Sequence, residues 1–187
     1  NANLAAPSSP NRLEDNDSIT IDGVAPTITD VTSLEADGSY GAGYPVDITI
    51  NFSEMVTLSG GPITVNFDGG GSMDINDFAL ANTATAIYTV GAGQNSTDLY
   101  VSGINLNGAT LRDNAGNDVN IVIDPANNLA IDRAIVIDTY APTITSVTSA
   151  TTPGLYGEGA TIDITVNFSE PVSKVGGMPL YMDLNAN

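Results

Sequence analysis

The segment Ile21–Val56 recurs as Ile137–Val172, at a constant offset of 116 residues and without a gap, and 22 of the 36 positions are identical. Identical runs include Ala25-Pro26-Thr27-Ile28-Thr29 against Ala141-Pro142-Thr143-Ile144-Thr145, and Asn51-Phe52-Ser53-Glu54 against Asn167-Phe168-Ser169-Glu170. The offset also runs backwards, matching Leu13 to Leu129 and the Ile19/Ile21 alternation to Ile135/Ile137. A fixed long period means that one supersecondary unit is reused along the chain, so the fold of one copy is the fold of all. The expected organisation is a C-terminal strand of a preceding repeat over 1–22, a complete repeat over 23–138 and the beginning of a third over 139–187.

Within the unit the apolar period is two. Val46, Ile48, Ile50 and Phe52 alternate with Asp47, Thr49 and Asn51, and Ile63, Val65 and Phe67 with Thr64 and Asn66. Side chains of a strand point to opposite faces in turn, so this pattern places one face in a core and the other in water. Further strands are expected over 27–33, 84–90, 98–106, 119–123 and 134–138, separated by turn-forming clusters such as Gly60-Gly61-Pro62 and Asn114-Ala115-Gly116-Asn117. Only 73–82 is expected to hold a short helical turn. About seven short strands in a repeat of 116 residues predict an all-β fold, an antiparallel immunoglobulin-like β-sandwich in tandem copies.

Composition then limits what such units can do. The chain has 22 Asp plus Glu against four basic residues, Arg12, Arg112, Arg133 and Lys174, for a formal charge of −18, with no His and no Cys. Ser-His-Asp and Cys-His nucleophiles are excluded, as are disulfides and the usual zinc ligand sets. Four cationic side chains cannot neutralise a run of phosphates, so neither nucleic acid nor an anionic membrane is an expected partner. Apolar runs such as Ala134-Ile135-Val136-Ile137 are too short to insert as membrane-spanning helices. Trp is absent, and neither an apolar cleft nor an aromatic sugar platform is visible around pairs such as Asp74 and Asp77, so the chain is expected not to be an enzyme.

What an acidic chain attracts is cations. If strands alternate in direction from Thr27 onward, the ends of the second and sixth strands return to the pole where the domain begins. That brings Glu54, together with Asp113, Asn117 and Asp118, next to the linker residue Asp22. The opposite pole carries Glu35 and Asp37 and would face Asp138 and Glu170 of the next unit. Carboxylates, Asn amides and carbonyls suit Ca²⁺, which takes six to eight oxygens in flexible geometry, whereas softer metals want His or Cys. The expected metal ligands are therefore Asp22, Glu54, Asp113, Asn117, Asp118, Asp138, Glu170, Asp37 and Glu35, with Ca²⁺ bound at the junctions between domains. No loop has the EF-hand spacing. Four Asn-x-Ser/Thr triplets, at Asn16, Asn51, Asn95 and Asn167, are formal glycosylation acceptors.

The Ile-Asp-x-x-Ala-Pro-Thr entry, Asp37-Gly38-Ser39-Tyr40-Gly41-Ala42-Gly43, Asp47-Ile48-Thr49-Ile50-Asn51-Phe52-Ser53-Glu54, Gly91-Ala92-Gly93-Gln94-Asn95-Ser96-Thr97-Asp98-Leu99 and Arg112-Asp113-Asn114-Ala115-Gly116-Asn117 together resemble the bacterial Ig-like repeats of large calcium-dependent surface adhesins and biofilm-associated proteins. The resemblance covers the complete unit and both partial ones. It implies a secreted, cell-surface extender whose partners are neighbouring repeats. A second expectation is a subunit of a surface filament in which copies of the chain complete one another by strand exchange, with residues 1–22 as donor. A carbohydrate-binding module is a third.

Overall fold

The computed structural model describes residues 19–174, 176, 181 and 182. The chain divides into two compact units, Asn1–Thr139 and Tyr140–Asn187. In the first unit the described residues form strands β1 (Ile28–Thr32), β2 (Gly38–Tyr40), β3 (Pro45–Ser59), β4 (Ile63–Phe67), β5 (Ser72–Ile75), β6 (Phe78–Thr89), β7 (Val101–Asn105), β8 (Thr110–Asp113) and β9 (Ile135–Ile137). A 3₁₀ turn at Pro125–Asn127 and a one-turn helix, α1 (Leu129–Asp132), precede β9. The fold is all-β, with antiparallel sheets and one short parallel pair, β2 with β9.

One sheet runs β1-β3-β6, with β8 also on β3, and another runs β5-β4-β7. The period-two pattern decides which faces meet. Val46, Ile48, Ile50 and Phe52 of β3 are buried, as are Ile63, Val65 and Phe67 of β4, and all belong to one cluster with Val31, Tyr88, Leu111, Leu129, Ile135 and Ile137. This sandwich-like core gains roughly 1.5–3 kcal/mol for each large aliphatic side chain taken fully out of water. Polar residues of the same strands face outward and pair across them, as in Thr49 with Thr85 at 2.8 Å.

Several expectations change. Residues 73–82 contain no helical turn: β5 and the start of β6 occupy them, because Met73 and Ile75 are buried opposite Val65 and Ile63 while Asp74 between them is exposed. Residues 119–123 form no strand and make one isolated bridge, Asn120 to Thr27. The strand expected to stop at Phe52 continues to Ser59, so Glu54 lies within β3 and not in a loop. The helix α1 appears where none was expected, and its start is fixed by Asn128, whose Oδ1 accepts from the Leu129 N–H at 2.8 Å.

In the second unit, β10 (Ile144–Thr148) and β11 (Thr165–Phe168) pair antiparallel. Their register, Ile144 opposite Phe168 through Thr148 opposite Thr165 with one irregularity after Ile144, is that of β1 on β3 moved by 116 positions. The hydrogen bonds flanking the pair repeat as well. Ser53 N–H donates to the Thr27 carbonyl and Thr27 N–H to Ser53 Oγ, and Ser169 and Thr143 do the same.

Candidate metal centre

The 15-residue strand β3 positions the site. Along one edge it keeps β6 as neighbour, from Pro45 opposite Thr89 to Leu58 opposite Phe78. Its other edge is shared end to end: β1 takes Thr49–Phe52 and β8 takes Val56–Ser59. Both of these strands are antiparallel to β3, so the beginning of β1 and the end of β8 approach each other opposite Ser53–Met55. The ladder with β6 slips by three residues between Asn51 and Val56, which lets β3 bulge at this seam. Glu54 stands at the bulge, Asp113 is the last residue of β8, and Asp22 belongs to the segment leading into β1.

Carboxylate oxygens of Asp22, Glu54 and Asp113 lie within 4.8 Å of one another. Asp113 is buried, Glu54 partly buried and Asp22 exposed. The turn after β8 holds Asp113 in place: its Oδ1 accepts from the N–H groups of Gly116 at 2.6 Å and Asn117 at 2.8 Å, and its Oδ2 from Asn117 Nδ2 at 2.7 Å. Gly116 has φ +96°, a left-handed conformation that costs glycine little and other residues more. Asn117 Nδ2 also donates to the Asp22 carbonyl at 3.3 Å, tying the entry segment to the turn, and Asp22 Oδ1 accepts from the Val24 N–H at 3.0 Å.

Electrostatics separate Asp113 from Glu54. Burial alone would raise the Asp113 carboxyl, but the hydrogen bonds from Asn117, Gly116 and Ala115 favour its charged form and bring it below its usual 3.8. Among the described residues Glu54 has no such donors. Burial, and then the charges of Asp22 and Asp113, push its carboxyl above the usual 4.5. The nearby cation Arg112 is committed elsewhere, with Nε 2.5 Å from Asp118 Oδ1.

Three carboxylates within 4.8 Å of one another are an all-oxygen donor set of the kind that hard cations take.

The remaining sequence-predicted ligands are not brought into this cluster. Asp118 faces Arg112. Asp37 Oδ1 accepts from the Ala134 N–H at 3.0 Å, and Glu35 Oε2 accepts from Tyr44 Oη at 3.0 Å. Asp138 donates its N–H to the Tyr40 carbonyl at 3.1 Å, at the end of β9. Glu170 belongs to the second unit, two residues after β11. The triad itself lies wholly within the first unit, whereas the expectation was of carboxylates gathered from two domains at a joint.

Sequence reasoning missed a second meeting of acids. Asp30 on β1 has its carboxyl raised by burial and then by the charge and hydrogen bond of Asp132. Asp132 stands on α1, a helix of four residues, too short for any helical period to show. The amides of Asn51 and Asn167 donate to Asp30 Oδ2 and Ser146 Oγ, so both potential glycan acceptors are engaged in cross-strand bonds. No protein-family model, curated protein or solved structure matches the chain.

Proposed function

We propose that the chain is a non-catalytic structural segment of an extracellular adhesin or fibre, built from tandem immunoglobulin-like repeats that bind Ca²⁺ where each repeat is entered. The observation that carries the reading is the convergence of Asp22, Glu54 and Asp113 within 4.8 Å. These residues come from the entry segment, the middle of β3 and the end of β8, so one ion joins the incoming chain to the body of the domain. Cross-linking by a divalent ion converts a like-charge cost into a clamp. Pro26 adds local stiffness by fixing its own φ and restricting Ala25. Repetition of the Ala-Pro-Thr entry and of the β1–β3 register at 116 residues supports the tandem arrangement.

Small-angle scattering of the chain with and without a chelator tests the reading. Removal of Ca²⁺ should increase the radius of gyration, because the entry segment is released. Unchanged dimensions together with an unchanged melting temperature would overturn it.

A further inference from the structure

The edge of β6 that faces away from β3 is unguarded. Among the described residues β6 pairs with β3 alone, in unbroken register from Pro45 opposite Thr89 to Asn51 opposite Thr83. One step beyond that ladder, Val90 N–H donates to the Tyr44 carbonyl at 3.0 Å. Bonded and non-bonded pairs alternate in an antiparallel ladder, so Tyr88, Ala86 and Ala84 direct their main-chain groups to β3, while Thr83, Thr85, Ile87 and Thr89 turn theirs outward. A groove of about 430 Å³ lies beside this edge, lined by Thr83–Ile87 and, from the preceding segment, by Asp74, Ile75 and Asn76. Edge and groove are formed by residues 74–89, inside the complete repeat over 23–138.

Sequence and charge specify the occupant. From Phe78 to Thr97 no residue is charged, in a chain of 22 acids and formal charge −18. Sheet edges are ordinarily blunted by Lys, Pro, inward charges or bulges. The run Thr83-Ala84-Thr85-Ala86-Ile87-Tyr88-Thr89 has none of these, and the irregular part of β6 precedes it, where Leu80 has φ +40° and the ladder with β3 slips. A seven-residue strand of high β-propensity without charge, Pro or Gly is the kind that pairs with an identical segment. Charge points the same way, because strong net charge of one sign keeps copies apart and a neutral edge lets them approach. Asp74, the carboxylate that lines the groove, already accepts from Thr64 Oγ1 at 2.7 Å through its Oδ1.

We propose that β6 pairs edge to edge with β6 of a second copy, antiparallel and centred on Ala86, in the register Thr83 to Thr89 and Thr85 to Ile87. The outward N–H and carbonyl groups of Thr85 then bond those of Ile87 across the two-fold axis, and the 56% exposed Ile87 side chain packs beside Thr85 of the second copy. The same patch serves both chains, so the contact is isologous and closes at a dimer, with one sheet running through both molecules. Complete repeats are joined side by side and no strand is exchanged. Main-chain bonds and a few small side chains stand against the full loss of translational freedom, which makes the association weak and concentration-dependent.

Sedimentation equilibrium of the chain in chelator tests the contact without metal. A dimer should grow with protein concentration and tighten several-fold between about 20 mM and about 500 mM NaCl, as screening relieves the repulsion between acidic copies. Thr85→Pro removes an outward N–H while leaving the bonds to β3, and should weaken the dimer roughly tenfold. Thr85→Glu adds like charge on both sides of the axis and should abolish the dimer at low salt; Thr85 is exposed, so its melting temperature should stay near that of the parent. The chain has no cysteine, so register is read from the mixed disulfide of Thr85→Cys with Ile87→Cys, which should exceed several-fold that of Thr85→Cys with a Ser102→Cys control. A monomer at every concentration and salt would overturn the proposal, as would equal disulfide yields. Association indifferent to both Thr85 substitutions would overturn it too, by placing the contact on another surface, the chain ends included. None of these outcomes depends on Ca²⁺, so failure here leaves the calcium reading untouched.

Discussion

Ca²⁺ added to the metal-free chain should raise the melting temperature of the first unit, and Glu54→Gln should change the sign of its effect between the two conditions. Oxygen sites of extracellular modules bind Ca²⁺ with a Kd of about 10⁻⁴–10⁻³ M. At about 10 mM Ca²⁺, one site of that affinity stabilises the folded state by roughly 1.4–2.7 kcal/mol. For a unit of this size each kcal/mol moves the midpoint by about 4 °C, giving a rise of roughly 6–11 °C. Without metal, Glu54 is a partly buried carboxylate facing Asp22 and Asp113, so Glu54→Gln removes repulsion and raises the melting temperature. With Ca²⁺ the same substitution deletes a ligand and most of the ion-induced rise. Circular-dichroism melts in chelator, in Ca²⁺ and in NaCl of matched ionic strength read all three effects, the last because screening alone relieves part of the repulsion. An equal rise in NaCl would refute the reasoning, as would a full Ca²⁺ response in Glu54→Gln. The metal-free chain also carries a pH signature. Glu54 holds its proton more tightly folded than unfolded, so its stabilising contribution is greatest below 4.5 and falls as pH rises through the elevated value. Asp113 runs the other way: its contribution is present above 3.8 and is lost as pH falls through its lowered value.

Asp118→Asn should cost less than about 1 kcal/mol and leave the Ca²⁺ response intact, because its pair with Arg112 is exposed; a lost response would enlarge the site. Gly71→Ala should destabilise by about 1–3 kcal/mol in urea titration, since a Cβ there falls 2.6 Å from Oη of the fully buried Tyr88. Asn128→Ala should cost about 1–3 kcal/mol, because its amide both accepts from the Val101 N–H and donates to the Val101 carbonyl, at 2.9 Å each, capping the edge of β7. A neutral result at Asn128 would mean that water replaces the amide at that edge.

The central strands were legible because their burial is one-sided: β3 and β4 announce themselves through alternation at Val46–Phe52 and Ile63–Phe67. The full length of β3 was not, since Glu54 and the 55% exposed Met55 interrupt the pattern where the strand bulges. Short elements stayed hidden for a different reason. In β8, Thr110–Asp113, only Leu111 is a large apolar residue, and Asp113 reads equally well as the start of a turn. The meeting of Asp22, Glu54 and Asp113 was expected from strand direction, but the structure reaches it differently, within β3 at the seam that β1 and β8 share. Sequence spacing did not show that Arg112 lies across the turn from Asp118 and pairs with it.

The seam on β3 gives the acidity of the chain a local meaning. Where β1 begins and β8 ends along the same edge, the ladder on β3 is interrupted, and one backbone bond, from the Asn120 N–H to the Pro26 carbonyl at 2.8 Å, links the segments flanking the two strands. At the gap itself the sequence supplies acids, with Asn117 as the donor that spans Asp113 and the Asp22 carbonyl. A cation bound by those acids would complete the seam from outside the hydrophobic core. Its binding would then control the angle at which the chain enters the domain without requiring the buried cluster around Ile48 and Tyr88 to rearrange. That separation suits an extender on the proposed reading: the hydrophobic core forms without the ion, and the ion adds stability at the entry and stiffens it.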